Sequence, residues 1–253
     1  MGRLPGKNPK LRDQTIIVSA HYDHLGIGPA IQQDSIYNGA VDNPLGSAAL
    51  IELARAFKTV SSNQRTILFL FTTAEEKGLL GARYYLDHPV TPLYKTVANI
   101  NVDGLAVFDR FKSVIGVGYQ LSTLGQTLDE MAQAYGYSMA PIPDPFIAKE
   151  SFSRSDQIEF AKAGIPSILI MDGLDYMHLT PDQGLEKHLH WMNTRYHTPF
   201  DDLDQPMNFD AVQQHARFLA AYIWMIANNQ KAPEWYPNTP FRNARLQTIA
   251  EKR

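Results

Sequence analysis

The 253-residue sequence contains no cysteine, which excludes disulfides, thiolate metal sites and a cysteine nucleophile. It has no excess of positive charge, since 23 lysines and arginines face 26 aspartates and glutamates, so no nucleic-acid partner is predicted. It also has no apolar run of the roughly 20 residues that a membrane span needs. The run at residues 218–227 predicts a buried helix face instead, and the polar start shows no signal-peptide pattern.

The composition that remains is that of an ordinary folded protein. Hydrophobic residues make up 44% of the chain and charged residues 19%, which provides enough apolar material for a sizeable core. The length suits one large α/β domain or two small ones.

Apolar strands alternate with amphipathic helices along the chain. Runs of β-branched and other apolar residues predict buried strands at residues 15–20, 66–72, 96–102 and 165–171. Helical periodicity and capping residues predict helices at residues 44–60, 78–88, 121–135, 156–163 and 208–228. Asn43 is a candidate N-cap of the first helix, with Pro44 at its first position. The alternation predicts an α/β fold whose mostly parallel, mixed central sheet has helices on both faces.

Two segments read as long loops, at residues 141–155 and 172–198. Loops of that length in a compact domain are usually functional or disordered. We expect both of them to shape a substrate pocket.

Acidic and histidine residues follow the ends of three predicted strands. His21 and Asp23 come after the first strand, Glu75 and Glu76 after the second, and Asp103 after the third. In parallel sheets, ligands bind beyond the carboxyl ends of the strands. We therefore expect these side chains to converge.

Each candidate residue also has a purely structural explanation when it is taken alone. Asp42 can cap the helix that follows it, the Glu75–Glu76 pair can be a solvated helix start, and His197 can be an ordinary loop residue. As a set, two histidines and three carboxylates suit two divalent cations that share one carboxylate. Two such ions, about 3.5–4 Å apart, can clamp a bridging hydroxide and polarise a carbonyl group.

The adjacent glutamates suggest a division of labour. Neighbouring carboxylates repel unless cations or protons separate them. In the functional interpretation Glu76 binds metal, while Glu75 receives a proton from metal-bound water. Asp23 suits a supporting role, because a carboxylate two residues after His21 can accept the second ring N–H of that histidine.

The motifs HYDH, GAVDN, AEEKGLLGA, INVDG and YHTPFDD occur in this order, and together they closely resemble the M28 family of dizinc peptidases, which includes aminopeptidases and glutamate carboxypeptidases. The resemblance implies a dizinc exopeptidase-like fold and two Zn²⁺ ions, with Mn²⁺ or Co²⁺ as substitutes. It implies five ligands: His21, Asp42, Glu76, Asp103 and His197. Asp42 bridges the two ions in this pattern, Asp103 shares one zinc with His21, and Glu76 shares the other with His197.

The resemblance implies further roles around the metals. Glu75 is the general base, and Tyr196 occupies the place of a tyrosine that hydrogen-bonds the developing oxyanion in some members. The Asp42–Asn43 bond falls where the family often has a cis peptide. Two positions depart from the family pattern, because Val41 replaces an acid and Gln157 replaces a histidine.

The family normally has a substantial N-terminal portion, whereas 20 residues precede the first histidine motif here. We therefore expect residues 1–253 to be a single metallopeptidase catalytic domain that lacks the N-terminal part of the full-length protein. Export from the cytoplasm is favoured by the resemblance only, and the oligomeric state is not indicated.

The predicted function is that of a zinc-dependent aminopeptidase that hydrolyses N-terminal peptide bonds of peptide substrates through a bridging metal-bound water. A carboxypeptidase of the same family would need basic residues for the substrate carboxylate, and Arg154 and Arg195 are candidates. A glutaminyl cyclase would use one zinc. A non-catalytic binding module is the remaining alternative, although such relatives usually lose ligands and this chain keeps all five.

Overall fold

A computed structural model describes residues 1–144 and 151–251. The strands within these ranges are β1 (Gly2–Leu4), β2 (Thr15–His21), β3 (Gly26–Ile31), β4 (Asp34–Tyr37), β5 (Thr66–Thr72), β6 (Thr96–Asn101), β7 (Ser113–Val117), β8 (Ser138–Met139) and β9 (Ser167–Asp172). The α-helices are α1 (Gly46–Val60), α2 (Leu80–Asp87), α3 (Thr123–Tyr135), α4 (Gln157–Lys162), α5 (Pro181–Thr194), α6 (Phe209–Asn228) and α7 (Arg242–Ala250).

In the described part of the chain, seven of these strands form one sheet in the order β1-β5-β2-β6-β9-β7-β8. The four central strands, β5, β2, β6 and β9, run parallel to one another. β1 and β7 run antiparallel to their neighbours β5 and β9, and β8 pairs with β7 in parallel. The prediction of a mostly parallel, mixed sheet is therefore confirmed.

Helices cover both faces of the sheet because consecutive side chains of a strand point to opposite faces. Ile16 and Val18 of β2 belong to the large hydrophobic cluster that includes residues of α1, α3 and α6. Ile17, which lies between them in sequence, belongs to a second cluster with residues of α2 and α4. Because both sides of the central strands are buried, these strands are rich in apolar and β-branched residues, which is why sequence alone predicts them.

The prediction of a loop at residues 172–198 is wrong for Pro181–Thr194, which form helix α5. Thr180 and Gln183 form a capping box at the start of this helix, and Pro181 occupies its first turn. The helix lies on the surface and Gly184 is its one fully buried residue. It therefore lacks a strong apolar stripe, although its cap was readable in the sequence. Of the other expected loop, residues 145–150 lie outside the described residues.

The start of the first helix also differs from the prediction. Residues Val41–Leu45 form a π-helical turn in which Asp42 and Asn43 have non-helical backbone angles, and α1 begins only at Gly46. Asn43 does not cap α1. Its side chain donates to the carbonyl oxygen of Val102 at 2.8 Å and accepts the N–H of Gly104 at 2.9 Å. The peptide bond between Asp42 and Asn43 is cis, as the resemblance implies.

Within the described ranges, helices are too short or too polar to traverse a lipid bilayer. Even α6 has only one apolar face, which packs Phe218, Leu219 and Tyr222 into the large cluster, and its other positions are polar or half-exposed. Its burial comes from the protein core.

Candidate metal centre

The five predicted ligands meet at the carboxyl ends of the central parallel strands. His21 is the last residue of β2, and Asp103 follows β6 by two residues. Glu76 follows the end of β5 by four residues, and His197 follows α5 by three. Asp42 lies in the π-helical turn before α1. The order of the strands in the sheet thus brings together residues that are far apart in sequence.

Asp42 stands between two groups of potential ligands. Its Oδ1 lies 3.3 Å from Nε2 of His21, which in turn lies 3.2 Å from Oδ1 of Asp103. Its Oδ2 lies 3.3 Å from Nε2 of His197, which lies 3.2 Å from Oε2 of Glu76. The two oxygens of one carboxylate therefore face two separate groups.

These spacings fit the donor set of metal ions. A tetrahedral zinc ion with bonds of about 2.0–2.2 Å separates its ligand atoms by roughly 3.3–3.6 Å. Nε2 of His197 and Oε1 of Glu76 are buried and have no hydrogen-bond partner among the described residues. Buried polar atoms normally have a partner, and a cation bound here would supply one. Two groups of side chains satisfy the spacing of a metal site, His21, Asp42 and Asp103 in one and His24, Asp42 and Glu76 in the other. His197 joins the second group through its contacts with Asp42 and Glu76.

The electrostatics of the cluster favour positive charge at its centre. Burial lowers the pKa of His21, but the hydrogen-bonded carboxylates beside it outweigh burial and raise that pKa above its usual range. His197 is also partly buried, yet its aspartate and glutamate neighbours raise its pKa to about 9. Burial raises the pKa of Asp42, but contact with both histidines outweighs it and holds the pKa below its ordinary value. Divalent cations would neutralise the same carboxylates.

A second layer of hydrogen bonds holds the loop that carries Asp42. The carboxylate of Asp201, a residue with no exposed surface, accepts the N–H groups of Val41 at 3.0 Å and Asp42 at 3.1 Å. Asp201 belongs to the YHTPFDD motif, so the segment that supplies His197 also fixes the bridging position. Asn43 links the same loop to the loop of Asp103.

Glu75 lies beside the two groups at the edge of a cavity. Its backbone N–H donates to Oδ1 of Asp23 at 3.2 Å. Burial raises the pKa of Glu75 to about 9, and the nearby carboxylates of Asp103 and Glu76 contribute in the same direction. Without cations this carboxyl group holds its proton at neutral pH, and added positive charge favours its ionised form.

Asp23 contacts His21 mainly through its backbone. Nδ1 of His21 lies 3.1 Å from the carbonyl oxygen of Asp23 and 3.6 Å from its carboxylate. The carboxylate points instead to the backbone of Glu75. Asp23 therefore joins the predicted ligand to the predicted base.

A cavity of about 560 Å³ opens directly onto these groups. Its wall is largely apolar and includes residues from β7, β9 and α5: Ile115, Val117, Leu169, Met171, Trp191 and Met192. Tyr196 lines the cavity too, with its ring stacked on that of His197 at a centroid distance of 3.8 Å. Burial raises the pKa of Tyr196 well above its usual range, so its hydroxyl stays protonated and able to donate.

Three residues near the metal groups were not predicted. His24 is buried beside Glu76, Asp201 supports Asp42, and Asn43 joins two loops rather than capping a helix. All three lie inside the quoted motifs, and the polar density of those motifs was the signal available. Their roles depend on the path of loops in space, which spacing along the chain does not give.

The comparisons with known proteins agree with this geometry. The sequence profile of peptidase family M28 matches residues 1–223. Aminopeptidase YwaD of Bacillus subtilis (strain 168) is 28% identical over 236 residues, which are 90% of this chain and 44% of that protein. The structure of BSAP, a zinc aminopeptidase from Bacillus subtilis, has a TM-score of 0.64 and 24% identity, over 91% of this chain and 50% of that one.

A glutaminyl cyclase from an Acidobacteriales bacterium shares the fold, with a TM-score of 0.55 and 20% identity over 87% of this chain and 71% of that one. The chain spans half or less of the length of YwaD and BSAP. The resemblance inferred from the motifs is confirmed by the profile match, and the chain belongs to peptidase family M28.

Proposed function

We propose that this chain is the catalytic part of a zinc aminopeptidase that binds two zinc ions. The observation that carries the proposal is the position of Asp42, whose two oxygens face two groups of ligand atoms at the mouth of an apolar cavity. The proposed ligands are those predicted from the sequence: His21, Asp42, Glu76, Asp103 and His197. Mn²⁺ and Co²⁺ are proposed as substitutes for Zn²⁺.

In the proposed reaction the protein positions and deprotonates the attacking water. Bound zinc ions supply positive charge that acidifies water and polarises a carbonyl group. Glu75, which lines the cavity together with the proposed ligands, takes the proton from the attacking water and passes it to the leaving amine. Tyr196 donates a hydrogen bond to the oxygen on which negative charge develops. Asp23 holds the backbone of Glu75 in place.

Cleavage next to a free amino terminus is supported by the names of the relatives, an aminopeptidase and a zinc aminopeptidase. The apolar wall of the cavity supports a preference for peptides whose first side chain is apolar. Export of the protein stays a prediction.

One observation favours a carboxypeptidase as the second candidate. Arg154 lines the cavity and is exposed, so it is placed to meet a substrate carboxylate. Arg195, the other candidate, lines a neighbouring depression instead and donates to the carbonyl oxygen of Phe200 at 2.7 Å. Arg83 also lines the cavity but pairs with Glu159 at 3.3 Å.

The test is a panel of dipeptides together with measurement of bound zinc. An aminopeptidase cleaves dipeptides with a free amino group, including those with an amidated carboxyl end, and leaves N-acetylated ones intact. The opposite pattern, cleavage of N-acetylated but not C-amidated peptides, would establish the carboxypeptidase. Release of ammonia from a peptide that begins with glutamine would indicate a cyclase, and zinc binding without turnover would indicate a binding module.

A further inference from the structure

His24 is a buried imidazole at the second ligand group that the five-ligand scheme leaves without a role. It stands three residues after His21, and its side chain is only 4% exposed. Its Nδ1 lies 2.9 Å from Oε1 of Glu76 and 3.9 Å from Oδ2 of Asp42. Its ring meets that of His197 edge-on at a centroid distance of 5.5 Å. His24 therefore touches every other member of this group.

The contact between His24 and Glu76 is short, but it is not aligned as a hydrogen bond. Both ring nitrogens of His24 and Oε1 of Glu76 are buried and lack a hydrogen-bond partner among the described residues. Misaligned donors and acceptors at close range interact weakly, and leaving them unpaired in the interior is costly. Nδ1 of His24 and Oε1 of Glu76 are close but do not point at each other, which is the arrangement of two atoms that coordinate the same ion.

The backbone around His24 is shaped to hold the ring in this place. Gly39, at a φ of +64° in the loop that leads to Asp42, packs against the imidazole, and a Cβ at this position would clash with the ring. Gly39 thus provides both the left-handed turn and the space that the ring occupies. The motif that positions Asp42 also positions His24.

We infer that His24 is a further metal ligand, which completes a four-residue site with Asp42, Glu76 and His197. This inference rests on the metal centre proposed above. The second site then offers two imidazoles and two carboxylates, a donor set that favours zinc over harder ions such as Mg²⁺. The first site, with His21, Asp42 and Asp103, offers one imidazole and keeps more of its coordination shell for water and substrate. The two sites consequently differ in affinity and in metal preference.

The experiment compares the chain with its His24→Asn and His24→Ala variants, and with His88→Asn as the control. Asparagine retains an amide that can donate to Glu76 but is a poor zinc ligand, so the two His24 variants separate ligation from positioning. His88 is an exposed histidine next to α2. Zinc stoichiometry and affinity are measured by competition with a chromophoric chelator, and correct folding of each variant is checked by near-ultraviolet circular dichroism.

If His24 is a ligand, both His24 variants retain one zinc and bind the second more weakly by well over about 100-fold, beyond the roughly 10- to 100-fold that loss of a supporting hydrogen bond costs, while His88→Asn equals the unchanged chain. If His24→Asn binds both zinc ions as tightly as the unchanged chain, the inference is overturned.

A second measurement needs no variant. In the cobalt-loaded chain, each coordinated imidazole gives one exchangeable, hyperfine-shifted proton signal, and three are expected from His21, His24 and His197. Two signals would overturn the inference while leaving the proposed metal centre in place. Absence of metal binding by the unchanged chain would overturn both. Three signals without peptide cleavage would establish His24 as a ligand and contradict the proposed function alone.

Discussion

At the scale of single residues, Glu75 tests the proposed chemistry most directly. Glu75→Gln keeps the shape of the side chain but removes its ability to take a proton. We expect kcat to fall by roughly 10²- to 10⁴-fold with zinc content unchanged, because in the proposed reaction Glu75 deprotonates the attacking water and is not a metal ligand. Steady-state kinetics and metal analysis check both. Glu52→Gln, an exposed position on α1, is the matched control, and near-normal turnover of Glu75→Gln would remove the assignment.

His215, which is not a proposed metal ligand, predicts a pH dependence of stability. Its ring is 1% exposed, its Nδ1 accepts the N–H of Ala106 at 3.0 Å, and burial lowers its pKa. In the unfolded chain this histidine has an ordinary pKa near 6.5. Below that pH the unfolded chain therefore binds a proton at His215 more readily than the native state does. This stabilising contribution is complete above the unfolded pKa and is lost as the pH falls below it.

We accordingly expect the free energy of unfolding to drop less between pH 7.5 and pH 5.5 in His215→Gln than in the unchanged chain. Urea denaturation at the two pH values measures the difference. His88→Gln, which removes an exposed histidine, should retain the pH dependence of the unchanged chain. Equal slopes for His215→Gln and the unchanged chain would contradict the prediction.

At the scale of elements, the cap of α5 is the feature most open to test. The hydroxyl oxygen of Thr180 accepts the N–H of Gln183 at 3.3 Å, and the Gln183 side chain accepts the N–H of Thr180 at 2.9 Å. Thr180→Ala removes one half of this capping box and should cost about 1 kcal/mol of stability. Urea denaturation measures the loss. Thr180→Ser retains the hydroxyl group and should lose less, so equal losses for the two variants would refute the role of the cap.

Which elements the sequence predicts depends on their burial. The four central strands were predicted because both of their faces are covered, which makes them rich in apolar and β-branched residues, although β6 also buries Asn99 and Asn101. β1 has three residues and β8 has two, too few for a periodic pattern. β3 and β4 are largely exposed, so they pair with little apolar signal.

The candidate site divides in the same way. His21, Glu76 and Asp103 could be placed together from sequence because each follows a strand of one parallel sheet. The position of His24 in the site could not be predicted from sequence, because it depends on the turn at Gly39, which packs against the His24 ring. Asp201 is similar, because its carboxylate reaches a backbone that lies 160 positions away in the chain.

At the scale of the whole molecule, removal of metal should lower thermal stability. The carboxylates of Asp42, Glu76 and Asp103 line one cavity, and without cations they repel one another at reduced solvation. Zinc at about 100 times its dissociation constant would add about 2.7 kcal/mol, or roughly 5–10 °C in Tm for a domain of this size.

Differential scanning fluorimetry of the chelated chain, with zinc then returned in steps, measures this shift. Mg²⁺ prefers all-oxygen sites and should restore less of the Tm than Zn²⁺ does. A Tm that is insensitive to chelation and to zinc would contradict the proposed metal centre.

The side chain of Asn43 has a consequence for the speed of metal uptake. Fully buried, it fastens the turn that carries Asp42 to the loop that carries Asp103 through Val102 and Gly104. The two aspartates are therefore held in place by hydrogen bonds within the protein. An arriving ion then meets ligands that need no search through loop conformations, and the rate of uptake should be set by diffusion and by the loss of water from the ion.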